Sequence, residues 1–140
     1  MTSLIEQGLV DFMGGFFAAN EVTCAVHTST SNATLPSTEP VVIVNVRECV
    51  HEVGPLYTGK LEVVVSTPAM AQKTVEDHRI IVAAVEDAFD PENAAEISAD
   101  VQGKAHCTVN GWFYEGPRDA QQDDRWISTM SFTLGLMRVD

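Results

Sequence analysis

The stretch RWISTMSFTLGLMRV, residues 125–139, decides the fold. Trp126, Met130, Phe132, Leu134 and Leu136 fall on one side of an extended chain, and Thr129, Ser131, Thr133 and Gly135 fall on the other. A period of two sustained over this length is a strand with one buried and one wet face. Its apolar side needs a second layer laid over it. Two segments supply that layer. Residues 3–19 carry Leu4, Ile5, Leu9, Val10, Phe12, Met13, Phe16 and Phe17 at helical spacing, with Ser3 and Glu6 spaced as a capping box and Gly14-Gly15 weakening the last turn. Residues 74–89 align Val75, Val82, Val85 and Phe89, open with Thr74 and Asp77, and stop at Asp90-Pro91.

The remaining strands follow from the same period. Val22 to His27 is a short strand, and residues 28–40, rich in Ser and Thr with two prolines, form a loop. In Val41 to Glu52, Val42, Val44, Val46 and Val50 share one face, and Asn45, Arg47, Cys49 and His51 share the other. Lys60 to Thr67 alternates again and pairs with it as an antiparallel hairpin across Gly54-Pro55 and Thr58-Gly59. Residues 92–103 read as irregular, Lys104 to Glu115 as a strand in which Asn110-Gly111 is either a tight turn or a bulge, and residues 116–124 as a polar loop. The expected order is α-β-β-β-α-β-β. That is an α+β domain, a mostly antiparallel sheet with two helices on one face, spanning residues 1–140 as one unit.

Charge excludes several functions. With 8 Lys plus Arg against 20 Asp plus Glu, the chain carries −12 and has no run of cations. Nucleic-acid readers and binders of anionic membranes need clustered positive charge. At 45% hydrophobic and 20% charged residues the composition is globular, and a chain of this length buries about two-thirds of its unfolded surface without staples. No stretch approaches the ~20 apolar residues of a membrane span, and the N-terminus lacks the pattern of a secretory signal, so a cytosolic chain with reduced Cys24, Cys49 and Cys107 is expected.

Three Cys/His pairs raise the question of metal or thiol chemistry: Cys24 with His27, Cys49 with His51, and His106 with Cys107. Structural zinc draws on tight turns, and on a strand only Cys49 and His51 point the same way. No metal and no cofactor is therefore expected. A pocket built from Cys49, His51 and His78 is the enzyme or ligand-binding alternative, although nothing in the sequence supplies an oxyanion hole or a lowered thiol pKa. His78 reads as a packed boundary histidine beside Val75, Val82 and Val85, and the acidic residues of that helix as its solvated face. Phosphate loops and a G-x-S-x-G elbow are absent. Partners would be met by the loops 28–40 and 116–124 and by the strand face bearing Asn45, Arg47 and His51. Arg47 and Arg125 are candidate partner contacts, Trp112 and Tyr114 candidate interface anchors, and Trp126 a core residue.

The arrangement resembles the lambda-type tail terminator family of long-tailed bacteriophages, or a closely related neck or tail-completion protein. The resemblance rests on the N-terminal amphipathic helix, the strand Val41 to His51, the strand Lys60 to Thr67 leading into TVEDHRIIVAAVEDAF at 74–89, and WISTMSFTLGLMR at 126–138. It is a likeness of pattern and size over most of the chain. It implies a non-enzymatic virion protein, assembled in the host cytoplasm as a ring, usually a homohexamer. Such a ring binds the tail tube protein, halts tube polymerisation and meets the head–tail connector, while DNA passes its pore without specific binding. Six copies of a −12 chain would total −72, a ring that assembles more readily once salt screens its charge. Exposed strand edges are one route to self-assembly, and the acidic surplus would suit the wall of the pore.

Overall fold

The computed structural model describes residues 1–30, 38–69, 74–122 and 124–139. Helix α1 (Thr2–Ala19) is followed by strands β1 (Ala25–Thr28), β2 (Val41–His51) and β3 (Leu56–Pro68), helix α2 (Val75–Ala88), a short 3-10 turn at Pro91–Asn93, helix α3 (Ala94–Ala105), and strands β4 (Cys107–Gln122) and β5 (Arg125–Arg138). The sheet order is β1-β2-β3-β5-β4, antiparallel except for the parallel β1–β2 pair. The protein is thus an α+β domain with a mostly antiparallel sheet, as the alternation requires. Most of the loop expected at 28–40 falls at residues 31–37, outside the described residues.

The helices cover one sheet face. Val42, Val44 and Val46 of β2, Leu61, Val63 and Val65 of β3, and Met130, Phe132, Leu134 and Leu136 of β5 are buried in one cluster with Ile5, Leu9, Phe12, Met13 and Phe17 of α1. From α2 come Ile81, Val82 and Val85, and from α3 Ile97 and Val101. Each fully buried aliphatic side chain contributes on the order of 1.5–3 kcal/mol of transfer free energy. The other face of the sheet bears Glu62, Val64, Ser66, Thr129, Ser131 and Thr133, all half-exposed, with no described element over it.

Three local readings need correction, and the choice left open at Asn110-Gly111 is settled. Residues 92–103 are not irregular: α3 occupies Ala94–Ala105, and its stripe is only Ile97, Val101 and Ala105, too thin to register as helical period. Asp90 caps the turn leading into it by accepting from the Glu92 amide at 2.9 Å. Asn110-Gly111 is a bulge inside β4, where the register shifts between Val109 and Gly111. Residues 116–122 are not a loop but the distal part of β4, exposed and paired with β5 as an arm that shifts register again between Glu115 and Arg118. Finally, β2 slips between Val46 and Glu48. Past that bulge the faces exchange: Cys49 pairs with Gly59 on the core side and packs against the core, while Val50 is turned out to solvent.

Glu6 does not cap α1, whose first turn has no side-chain cap. Its carboxylate, 3% exposed, turns onto the sheet and accepts from the Ser29 amide at 3.1 Å, the Ser29 hydroxyl at 2.9 Å and the Val46 amide at 2.9 Å. The helix is thereby pinned to the β1–β2 edge just where β1 ends. Two residues on, Gly8 lets α1 meet α3, since a Cβ there would lie 2.6 Å from Val101 Cα and 2.9 Å from the Asp100 carbonyl.

Two predictions follow from these contacts, both read by chemical denaturation. Gly8→Ala should lower stability by about 1–3 kcal/mol, as overpacked cores do, while Gly14→Ala on the same helix, where a Cβ meets open space, should raise it by roughly 0.5–1 kcal/mol. Glu6→Ala should cost on the order of 1–3 kcal/mol by orphaning the buried Val46 amide; a loss no larger than that of Gln7→Ala would refute the pinning role.

Candidate functional site

The densest polar chemistry lies between α2, β3 and the β4–β5 arm. The Thr74–Asp77 capping box starts α2, with Thr74 accepting from the Asp77 amide and Asp77 from the Thr74 amide, and so fixes the phase in which His78 faces the sheet. His78 is 5% exposed, and Thr67 and Ser128 are fully buried. Its Nδ1 lies 2.9 Å from Thr67 Oγ1, its Nε2 lies 2.8 Å from Ser128 Oγ, and Ser128 Oγ lies 2.5 Å from Asp119 Oδ1. An ionised carboxylate only accepts, so Ser128 donates to Asp119, accepts from Nε2–H, and leaves Nδ1 to accept from Thr67. The neutral imidazole satisfies every link. Burial pushes the His78 pKa down, partly opposed by the Asp119 carboxylate and reinforced by the Arg79 guanidinium.

This chain is not a nucleophilic triad. There the histidine stands between serine and carboxylate and takes the serine proton; here the serine stands in the middle, donates its hydrogen bond to the carboxylate and is shut from solvent. Beside it opens a cleft of about 520 Å³ walled by Val75, Val82, Pro117, Trp126 and Ile127. Trp126, expected in the core, is half-buried along this wall.

The Cys/His candidates do not assemble into one pocket. Cys49 Sγ lies 3.8 Å from Met1 Sδ, and His51 bonds the Gly54 carbonyl at 2.8 Å with its ring 5.0 Å from that of Tyr57. His51 pairs with Tyr57, whereas His78 bonds Thr67; ten residues of β3 separate the two places, on the order of 30 Å. Burial raises the thiol pKa of all three cysteines, that of Cys24 to about 12, opposite to the shift that activates a thiolate. Among the described residues no group of three or more His, Cys, Asp or Glu is placed to hold a metal ion.

Two of the candidate contact residues point inward. Trp112 donates its indole N–H to the Phe89 carbonyl at 3.0 Å and meets that ring edge-on at 5.9 Å. Tyr114 donates to Glu86 at 2.8 Å and stacks on Phe132 at 4.7 Å, and burial together with Glu86 raises its pKa. They clamp the end of α2 to the sheet. Phe113, the residue between them, points outward with 66% exposure; the sequence analysis passed over it, and alternation between two inward aromatics is the signal that could have found it. Arg47 and Arg125 lie on the open face. Arg47 pairs with Glu62 at 2.6 Å, and Arg125 bonds Ser66 Oγ at 2.5 Å and the Glu39 carbonyl at 2.8 Å. Lys60 donates to Thr133 at 3.1 Å nearby.

No protein-family model matches the chain, and no curated protein matches it. Solved structures share its fold. A chain of the virion of a native gene transfer agent particle superposes with a TM-score of 0.56 at 17% identity, covering 86% of this chain and 84% of that one. A second structure, of a protein known only by a sequence identifier, gives a TM-score of 0.54 at 14% identity over 96% of this chain and 90% of its own.

The His78 chain has a pH signature. Its folded pKa is depressed, so the unfolded state takes up a proton first as pH falls through 6.5, and stability drops with decreasing pH below that value. The slope cannot exceed about 1.4 kcal/mol per pH unit for one proton. Urea unfolding of wild type and His78→Gln across this range should show the variant with the flatter profile; parallel profiles would refute the assignment.

Proposed function

We propose that the protein is a structural component of a phage-type virion, a tail terminator or closely related neck protein that forms a ring, a homohexamer, on the end of the tail tube. In this reading the ring stops tube polymerisation and offers its far side to the head–tail connector, and catalysis plays no part. The carrying observation is the shared fold with a chain of a gene transfer agent virion over 86% of this chain, joined to the sequence pattern of 74–89 and 126–138. The chemistry supports it: the polar chain at His78 is satisfied internally, and the cysteines are held as thiols. Arg47 and Arg125, on the open sheet face, serve as contacts to neighbours, and Trp112 and Tyr114 serve assembly by holding α2 in place. A net charge of −12 suits a pore through which DNA passes without specific binding.

Absolute mass by light scattering, across protein concentration and salt, tests the ring. The expected result is a salt-promoted species of about six subunits, since closed cyclic rings are the usual homo-oligomers and screening removes the mutual repulsion. That species should cap isolated tail tubes in electron micrographs. One-subunit mass at every condition, with no decoration of tubes, would overturn the reading.

A further inference from the structure

The sheet edges are poor places for self-assembly. At one edge β1 is only four residues long, the Glu6 carboxylate occupies the Val46 amide next to it, and β2 bulges one residue further on. At the other edge β4 carries two register shifts and Pro117, which has no amide to donate. Such features keep edges from pairing with another chain. Association then falls to side chains, and apolar surface gathers at the two ends of the β3–β5 pair.

The β2–β3 turn is one end. The Leu56 amide bonds the Val53 carbonyl at 3.0 Å and the Glu52 amide bonds the Leu56 carbonyl at 2.9 Å, with Gly54 in the left-handed region at φ 57°. This tight turn holds Val53 out at 67% exposure. Behind it Leu56 stands opposite Met137, and Val50 lies diagonal to Leu56 across the β2–β3 ladder, all three exposed on the open face. Four of the nine large apolar side chains exposed among the described residues thus share one tip. Together they offer on the order of 300 Å² of surface, within the range of the largest apolar patch on a soluble monomer, which is often functional.

At the other end, where Thr67 faces Trp126, lies the cleft of about 520 Å³ between α2 and the β4–β5 arm, walled by Val75, Val82, Pro117, Trp126 and Ile127. Its ionisable groups are already engaged: His78 with Thr67 and Ser128, Asp119 with Ser128, Glu86 with Tyr114 and Arg79 with Glu76. What the cleft offers a partner is its apolar walls. We infer that the β2–β3 turn of one copy, Val53 leading with Val50, Leu56 and Met137 behind it, seats in this cleft of the next copy. This rests on the ring reading and names its contact. Tip and cleft lie about 35 Å apart along β3, the tip beside the open face and the cleft on the helix side, so no copy can fill its own cleft. The contact is head-to-tail, the kind that closes into a ring when its rotation allows. A stable interface hides about 800 Å² on each partner, somewhat more than half of it apolar. The four side chains of the tip supply most of that apolar share, and the polar residues flanking turn and arm supply the rim.

Mixing variants tests it. Val53→Asp changes an exposed turn position, and Val75→Asp puts a carboxylate at the first residue of α2, where the helix dipole favours it. Each should weaken association about tenfold or more and give a folded one-subunit protein by circular dichroism and light scattering where wild type forms its ring. Mixed one to one, they should form a two-subunit complex and stop there, because only one intact tip and one intact cleft can meet. In that complex the Trp126 fluorescence should move to the blue as the tip displaces water from the cleft wall. Phe113→Asp removes an equally exposed apolar residue away from both ends and should assemble as wild type does. If wild type assembles but Val53→Asp and Val75→Asp assemble equally well, if their mixture stays at one subunit or pairs without the Trp126 shift, or if Phe113→Asp disrupts assembly as strongly, the contact is wrong while the ring stands. If wild type remains at one subunit throughout, ring and contact both fall.

Discussion

The rest of the structure hangs on the pairing of β3 with β5. Every residue from Leu56 to Pro68 finds its partner from Met137 to Arg125 without a register shift, whereas β2 and β4 on either side both slip. Register in a sheet with one buried face is unforgiving, because a one-residue slip exchanges the two faces. The central pair holds Leu61, Val63 and Val65 beside Met130, Phe132 and Leu134 on the core side, and the outer strands accommodate their irregularities against that rigid floor.

Much of this was legible because it depends on local period. The alternation of 125–139 identified β5 and its buried residues, and the spacing of 74–89, with its Thr74–Asp77 box, located α2 closely. What escaped was whatever depends on neighbours. A bulge at Arg47 inverted the faces of Cys49 and Val50, and nothing in the local sequence marks it. Helix α3 was invisible because its buried stripe is only Ile97, Val101 and Ala105 and it meets α1 by a close approach at Gly8, so it needs few large apolar residues of its own. Glu6 had the spacing of a capping partner, and a tertiary bond to Val46 outcompeted the local one. At the site, His78 was read correctly as a packed histidine, but its partners come from β3, 11 residues away, and from β5, 50 residues away, and only the fold brings them together. Phe113 was hidden by the aromatics on either side of it, whose inward placement is what forces it out.

The same residues that build the core also shape the surface. Bulges at Arg47 and Asn110 are local defects in the ladder, and they interrupt the regular row of backbone groups on both outer strands. A five-stranded sheet with regular open edges would otherwise be a template for further strands. Blunting the edges shifts the burden of recognition onto side chains, which discriminate between partners far better than backbone amides do.

The buried chain at His78 sets how α2 sits on the sheet. A helix laid on a sheet through a smooth apolar stripe is held by forces with little directionality, and it can roll by a fraction of a turn at small cost. Hydrogen bonds joining His78 to both Thr67 and Ser128 fix its rotation at the N-terminal end. At the other end the Trp112 indole on the Phe89 carbonyl and the Tyr114 hydroxyl on Glu86 fix it again. Since Ile80 and Asp87 ride on the same helix, these inward bonds set the direction in which they point. Buried polar groups of this kind specify geometry, and here what they specify is the roll of α2 on the sheet.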